Sequence, residues 1–175
     1  WKAMLLDAET MREQICKLFN IFQSDRRIEW NSADSIRRLQ TNITIDNLNS
    51  DDGWVCFGGM DFSKGDDINA QSYLCYNKNT GAFFADMDAW ISEESLLNNT
   101  NSALYKVWKN KGWLRVSPGA TVNEILVLER WQEISEHLTI IRIGYDVYDA
   151  KRFINAIAAW IHSENIDPTT ILRPV

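Results

Sequence analysis

Apolar residues change their period partway along this chain. Over residues 8–22, Met11, Ile15, Leu18, Phe19 and Phe22 recur at three- and four-residue intervals, which predicts a helix. A second helix is expected over residues 32–39, with Ser32 as its N-cap. Residues 41–53 carry Asn42, Asp46, Asn47, Asn49, Asp51 and Asp52 and read as a polar connector. From Trp54 the pattern turns to short apolar runs. Strands are predicted over 55–62, 69–77 and 82–89, the last two joined as a hairpin by the turn sequence NKNTG at 77–81. Residues 92–111 are expected to be helical in parts, broken near 98–101 and ended by Gly112. A short strand over 113–117 stops at Pro118-Gly119. Residues 121–138 then predict an amphipathic helix with Ile125, Leu128, Trp131 and Ile134 in register. A strand over 139–146 and a helix over 149–163, with Phe153, Ile154, Ile157 and Trp160 as its apolar face, complete the pattern. Residues 170–175 have the composition of the start of one more strand.

A hairpin meander followed by α/β units predicts an α/β fold, a mixed sheet with helices packed against it. The composition shift before Trp54 places a boundary there, with residues 1–53 as an appendage or linker and 54–175 as the core domain.

Two of the predicted strands deliver an aspartate at their ends: Asp61 after the run 55–60, and Asp146 after 140–145. Both runs are mostly apolar and read as strands buried on both faces. A carboxylate at such an end is costly to bury unless compensated, and a divalent cation compensates it strongly. On this reading the two strands are neighbours and their aspartates share metal ions. The competing readings are a turn cap for Asp61, in the turn SKGDD that also holds Asp66 and Asp67, and a helix cap for Asp146. Asp149 is the better cap for the helix that follows, which leaves Asp146 freer for another role. The Gly58-Gly59 pair inside the first strand signals either close approach by a substrate or helix, or a β-bulge.

At 175 residues, with 45% hydrophobic and 24% charged residues, the chain suits one compact domain. No apolar run approaches the roughly 18 residues of a membrane span, and the first ten residues do not form a signal peptide. The three cysteines, Cys16, Cys56 and Cys75, lack metal-site spacing and read as reduced core residues of a cytosolic protein. The net charge of −6 argues against a surface coated in cations for nucleic acid, though not against an acidic cluster neutralised by metal. Lys106, Lys109, Lys111 and Arg115 form the best basic cluster, flanked by Trp108 and Trp113; a solvated helix face is the favoured reading of the lysines. No phosphate loop is present, and neither His137 and His162 nor Ser63 and Ser117 form a ligand or nucleophile pair.

GGMDFSKGDDINA at residues 58–70, WLRVSPGATVN at 113–123 and IRIGYDVYDAKRF at 141–153 together resemble the nuclease domain of tailed-phage terminase large subunits. That family has a strand ending in aspartate with a second Asp after a short turn, then a "T-P-G" strand, a helix and a strand ending in "G-Y-D". The resemblance covers about residues 54–160, and WNSADSIRRL at 30–39 is similar to the family's connector between motor and nuclease. It implies a ribonuclease-H-like mixed sheet of five strands whose first and fourth are adjacent and parallel, which would bring Asp61 and Asp146 together. It also implies two-metal phosphodiester hydrolysis with Mg²⁺ or Mn²⁺, with Asp61 and Asp146 as catalytic metal ligands and Asp67 as a lesser ligand. Lys64, Lys109 and Arg115 are the candidate DNA contacts. The expected role is cutting concatemeric double-stranded DNA during genome packaging, in the cytoplasm of the phage's host. A motor domain, a small terminase subunit and a portal are the implied partners, and no membrane is involved. The family draws a third acidic residue from a helix further toward the C-terminus. The expectation is therefore a fragment lacking that end and the ATPase motor, with residues 1–20 as the motor's last remnant. The alternatives are another ribonuclease-H-like nuclease of resolvase type, or a non-catalytic assembly module.

Overall fold

The computed structural model describes residues 33–63 and 67–175. The chain divides into two compact units, Trp1–Asn42 and Ile43–Val175. In the first, helix α1 (Ala33–Arg38) falls where the second helix is predicted. The predicted helix over 8–22, Ser32 and Lys64 lie outside the described residues.

The second unit opens with two single 3₁₀ turns, Ile45–Asn47 and Ser50–Asp52. The polar stretch around them hides two anchors, because Ile45 and Leu48 are buried in the main core. The strands β1 (Trp54–Asp61), β2 (Asn69–Asn77) and β3 (Phe83–Ser92) form an antiparallel meander. Its hairpin turn is closed by Asn77, whose side-chain oxygen accepts from the amides of Asn79 and Thr80. Helices α2 (Glu93–Asn98) and α3 (Ser102–Asn110) then lead to β4 (Arg115–Ser117). Helix α4 (Glu124–Ser135), strand β5 (Thr139–Tyr145) and helix α5 (Lys151–Ser163) follow, and a short α6 (Pro168–Ile171) precedes β6 (Leu172–Pro174).

The sheet runs β4-β3-β2-β1-β5-β6, with β1 and β5 parallel. It has six strands where five are implied by the resemblance, since the C-terminal residues add β6 beside β5. The parallel neighbour of β1 is the fifth strand in chain order, because the short β4 intervenes in sequence.

Only one face of the central strands is thickly covered. Val127, Trp131 and Ile134 of α4 and Phe153, Ile157 and Ile161 of α5 pack there against Cys56, Met60, Tyr73, Cys75 and Ile143. The prediction that the strands over 55–60 and 140–145 are buried on both faces is corrected accordingly, since Phe57 of β1 is 39% exposed and Arg142 of β5 is exposed on the other face. A smaller cluster of Ile91, Leu96, Tyr105 and Leu114 covers the β3–β4 end of that face. The buried stripe of α4 is also rotated from the expected one. Ile125 lies six residues from Trp131, roughly 120° around the helix, and is exposed.

Gly58 is the closest approach between sheet and helix. A methyl group there would overlap the Trp131 indole, whose Nε1 donates to Met60 Sδ at 3.3 Å. The β1–β2 register is continuous through the glycines and the irregularity against β5 falls before them, between Cys56 and Phe57, so helix approach explains Gly58. Because Trp131 is fully buried and cannot retreat, Gly58→Ala is expected to cost about 1–3 kcal/mol by overpacking, read as a lowered urea midpoint.

Candidate active site

Strand alternation sorts the side chains of β1 into two sets. Cys56, Gly58 and Met60 point to the helices, so Phe57, Gly59 and Asp61 point to the open face. In β5, buried Ile143 pairs with Gly58, which puts Arg142 and Gly144 on the open face, and Asp146 follows in the same alternation. The ladder ends at Met60–Tyr145 and is extended by the Asp146 amide, which donates to the Met60 carbonyl at 3.4 Å. Asp61 and Asp146 are therefore next to each other at parallel strand ends, on one face, and both are exposed.

They border an open cleft of about 520 Å³ lined by Gly59, Ala70, Ser72, Gly144 and Val175 among others. Its floor is low because Gly59 and Gly144 pair across the two strands. Ser72 Oγ donates to the Gly59 carbonyl at 3.3 Å, and a side chain at Gly59 would press on that hydroxyl. Ser72 and Gly144 were not among the residues singled out from sequence, because their place depends on strand pairing.

Asp146 Oδ1 accepts from the Tyr148 amide at 2.9 Å, a turn that fixes the carboxylate and leaves Oδ2 available. The Asp61 carboxylate has no hydrogen-bond partner among the described residues. The connection after β1 is held by Asn69, which accepts from the Ser63 amide at 2.9 Å and donates to the Asp67 carbonyl at 3.3 Å. Asp67 is exposed on that connection and does not line the cleft. Among the described residues no three His, Cys, Asp or Glu side chains group as a metal cluster. Two exposed carboxylates side by side nonetheless suit a hard cation of the Mg²⁺ type. Such ions are commonly held by one or two carboxylates, with water and substrate phosphate completing the shell.

The other candidates are placed apart from this pair. Lys109 is exposed near the end of α3. Arg115 is on edge strand β4, three strands from β1, with Nε 2.6 Å from Asp88 Oδ1. Asp88 also accepts from Arg130 Nε at 2.7 Å, on the helix-covered side.

No helix of the described residues is long and apolar enough to cross a membrane. No curated protein sequence matches the chain. Its fold is similar to that of the HK97 bacteriophage large terminase, with a TM-score of 0.57 and 21% identity over 82% of this chain and 28% of the terminase chain. This chain thus spans less than a third of that protein's length, and at this identity the likeness speaks for the fold alone, a ribonuclease-H-like mixed sheet with flanking helices. The profile of the family described as terminase large subunit, endonuclease domain, matches residues 2–164, most of the sequence, and the chain belongs to that family.

Proposed function

We propose that this domain is a divalent-metal-dependent endonuclease that cuts concatemeric double-stranded DNA during phage genome packaging, with Asp61 and Asp146 as its catalytic metal ligands. The observation that carries the reading is the placement of these two carboxylates on adjacent parallel strand ends, over a floor of paired glycines. Asp67 is a lesser ligand candidate, and Lys64, Lys109 and Arg115 are DNA-contact candidates. Two ions, Mg²⁺ or Mn²⁺, would supply an activated water and stabilise the leaving oxygen. The chain's own contribution is positional. Asp61 and Asp146 present hard oxygen donors, the Tyr148 amide holds Asp146 in place, and the glycine floor admits the phosphodiester without steric conflict. The absence of a base-reading element in the sequence motifs favours contact through the DNA backbone, hence little sequence preference.

The packaging role rests on family membership. On that ground residues 1–53 lead from a motor domain, the small terminase subunit and portal are partners, and the enzyme works in the host cytoplasm. A second reading is a module that holds DNA without cutting it. It is favoured by the lack of a third grouped carboxylate among the described residues. Incubation of supercoiled plasmid with the chain in Mn²⁺, Mg²⁺ or EDTA separates the two. Nicking or linearisation in Mn²⁺ that EDTA abolishes is expected. DNA retained in a gel shift but left intact in every metal would favour the holding module.

A further inference from the structure

Two arginines beside the cleft take no part in the contacts described above. In β6, Leu172 pairs with Ile143 and Arg173 with Gly144. Leu172 is buried with Ile143 on the helix side, so alternation turns Arg173 to the open face, directly across from the cleft floor. Arg142 occupies the same face two residues before Gly144, paired with Phe57. Both are exposed, and among the described residues neither forms an ion pair or a hydrogen bond through its guanidinium. Asp167 feels the charge of Arg173, but its carboxylate accepts from the Thr169 amide and hydroxyl at 2.9 and 2.8 Å.

This arrangement is unusual for a chain of net charge −6. Elsewhere in the second unit, Arg115, Arg130 and Arg152 are all paired with carboxylates. Here the backbone positions of two arginines share one face about 8 Å apart, one strand spacing across and two residues along. Neither guanidinium is in direct contact with a carboxylate among the described residues, so both are available to a polyanion. A phosphodiester backbone fits the geometry. Arg142 lies four residues before Asp146, roughly 13 Å along the strand, or about four phosphates at 3.4 Å of helix axis each. Arg173 is nearer, two residues short of Asp146 and one strand over.

We propose that Arg142 and Arg173 form a backbone clamp, each holding a phosphate of the DNA strand that crosses the glycine floor toward Asp61 and Asp146. The clamp rests on the nuclease reading, and it deepens that reading by assigning the residues that position the duplex. Arginine suits the task because its planar fork pairs with phosphate bidentately. Both residues are positioning groups, so they act on binding and not on the chemical step.

The test is fluorescence anisotropy of a labelled 25-base-pair duplex, titrated with the full chain in Ca²⁺ across a salt series. Arg142→Gln with Arg173→Gln is expected to weaken binding at least tenfold at 100 mM salt. The slope of log affinity against log salt should fall by about 0.9 per arginine lost. Lys78→Gln, in the hairpin turn at the opposite end of β2, removes an equal charge and should change neither. Arg142→Lys with Arg173→Lys should restore most of the slope, and the maximal plasmid cleavage rate at saturating DNA should stay near that of the parent. If the double glutamine variant keeps the parental affinity and slope, the clamp is overturned while the nuclease reading stands. If the parent itself binds no duplex, the nuclease reading falls and the clamp with it.

Discussion

Asp61→Asn is expected to abolish metal-dependent plasmid cleavage while leaving the fold intact. The substitution keeps size and one oxygen but removes the charge that a hard cation requires. A bound ion contributes several kcal/mol of transition-state stabilisation. At 1.36 kcal/mol per tenfold, a loss of about 4 kcal/mol lowers the rate roughly a thousandfold. Asp146→Asn should behave alike, and on the proposed role of the two carboxylates as one metal site the double variant should be little worse than either single one. Stability should move the other way. Two adjacent carboxylates repel one another without a cation, and both are exposed, so each variant is expected to melt within about 0.5 kcal/mol of the parent and on the more stable side. Isothermal titration with Mn²⁺ provides a second readout, in which the heat of binding should vanish. Full cleavage by both single variants would remove these aspartates from the chemistry.

Arg130→Met should be the most damaging change to the fold. Arg130 is a buried cation on the sheet-facing side of α4, 6% exposed. Its Nε donates to Asp88, and one terminal nitrogen donates to Asp46 at 2.7 Å and Glu133 at 3.1 Å. Asp46 and Glu133 are more than half exposed and lose little when unpaired. Asp88 is different, because it is largely enclosed and also receives the Tyr73 hydroxyl at 2.9 Å. Removing one partner of a buried pair typically costs about 3–5 kcal/mol. The lower end is expected here, as Arg115 still reaches the other Asp88 oxygen. A urea midpoint unchanged from the parent's would show that the network contributes nothing.

The same network sets an acid limit. Burial by itself pushes the Asp88 carboxyl up, but the Arg130 and Arg115 guanidiniums outweigh it and hold it below its ordinary value of 3.8. Its folded value is thus lower than its unfolded one. The stability this group contributes is complete above pH 3.8 and drains away as pH falls through the folded value. The gap in melting temperature between parent and Arg130→Met should therefore narrow below pH 3.8. A gap constant down to pH 2 would mean that Asp88 does not carry the effect.

Local pattern carried much of this architecture. The turn NKNTG announced the β2–β3 hairpin because Asn77 supplies the acceptor that a tight turn needs. The apolar stripe of α5 announced its buried face because three- and four-residue spacing leaves a helix no other face to bury. Asp61 and Asp146 drew notice because a carboxylate closing an apolar run requires a reason. Other features depend on residues distant in the chain, and no local window contains them. Arg130 sits on an otherwise apolar stripe, and its burial makes sense only once β3 brings Asp88 against it. Ile45 and Leu48 lie among polar residues, yet both are in the core, because the amide of Ile45 is docked on Asp86.

The cleft shows the division most clearly. That two strands end in aspartate was written in the sequence, as were the glycines two residues before each, Gly59 and Gly144. That these four residues meet is a consequence of β5 lying parallel to β1 in the register it keeps from Phe57 to Met60, after a one-residue shift beyond Cys56. A shift of a single residue would turn one aspartate toward the helices. Which face each side chain takes, and so which arginines stand beside the cleft, was decided by tertiary pairing, because alternation fixes facing only relative to a partner strand.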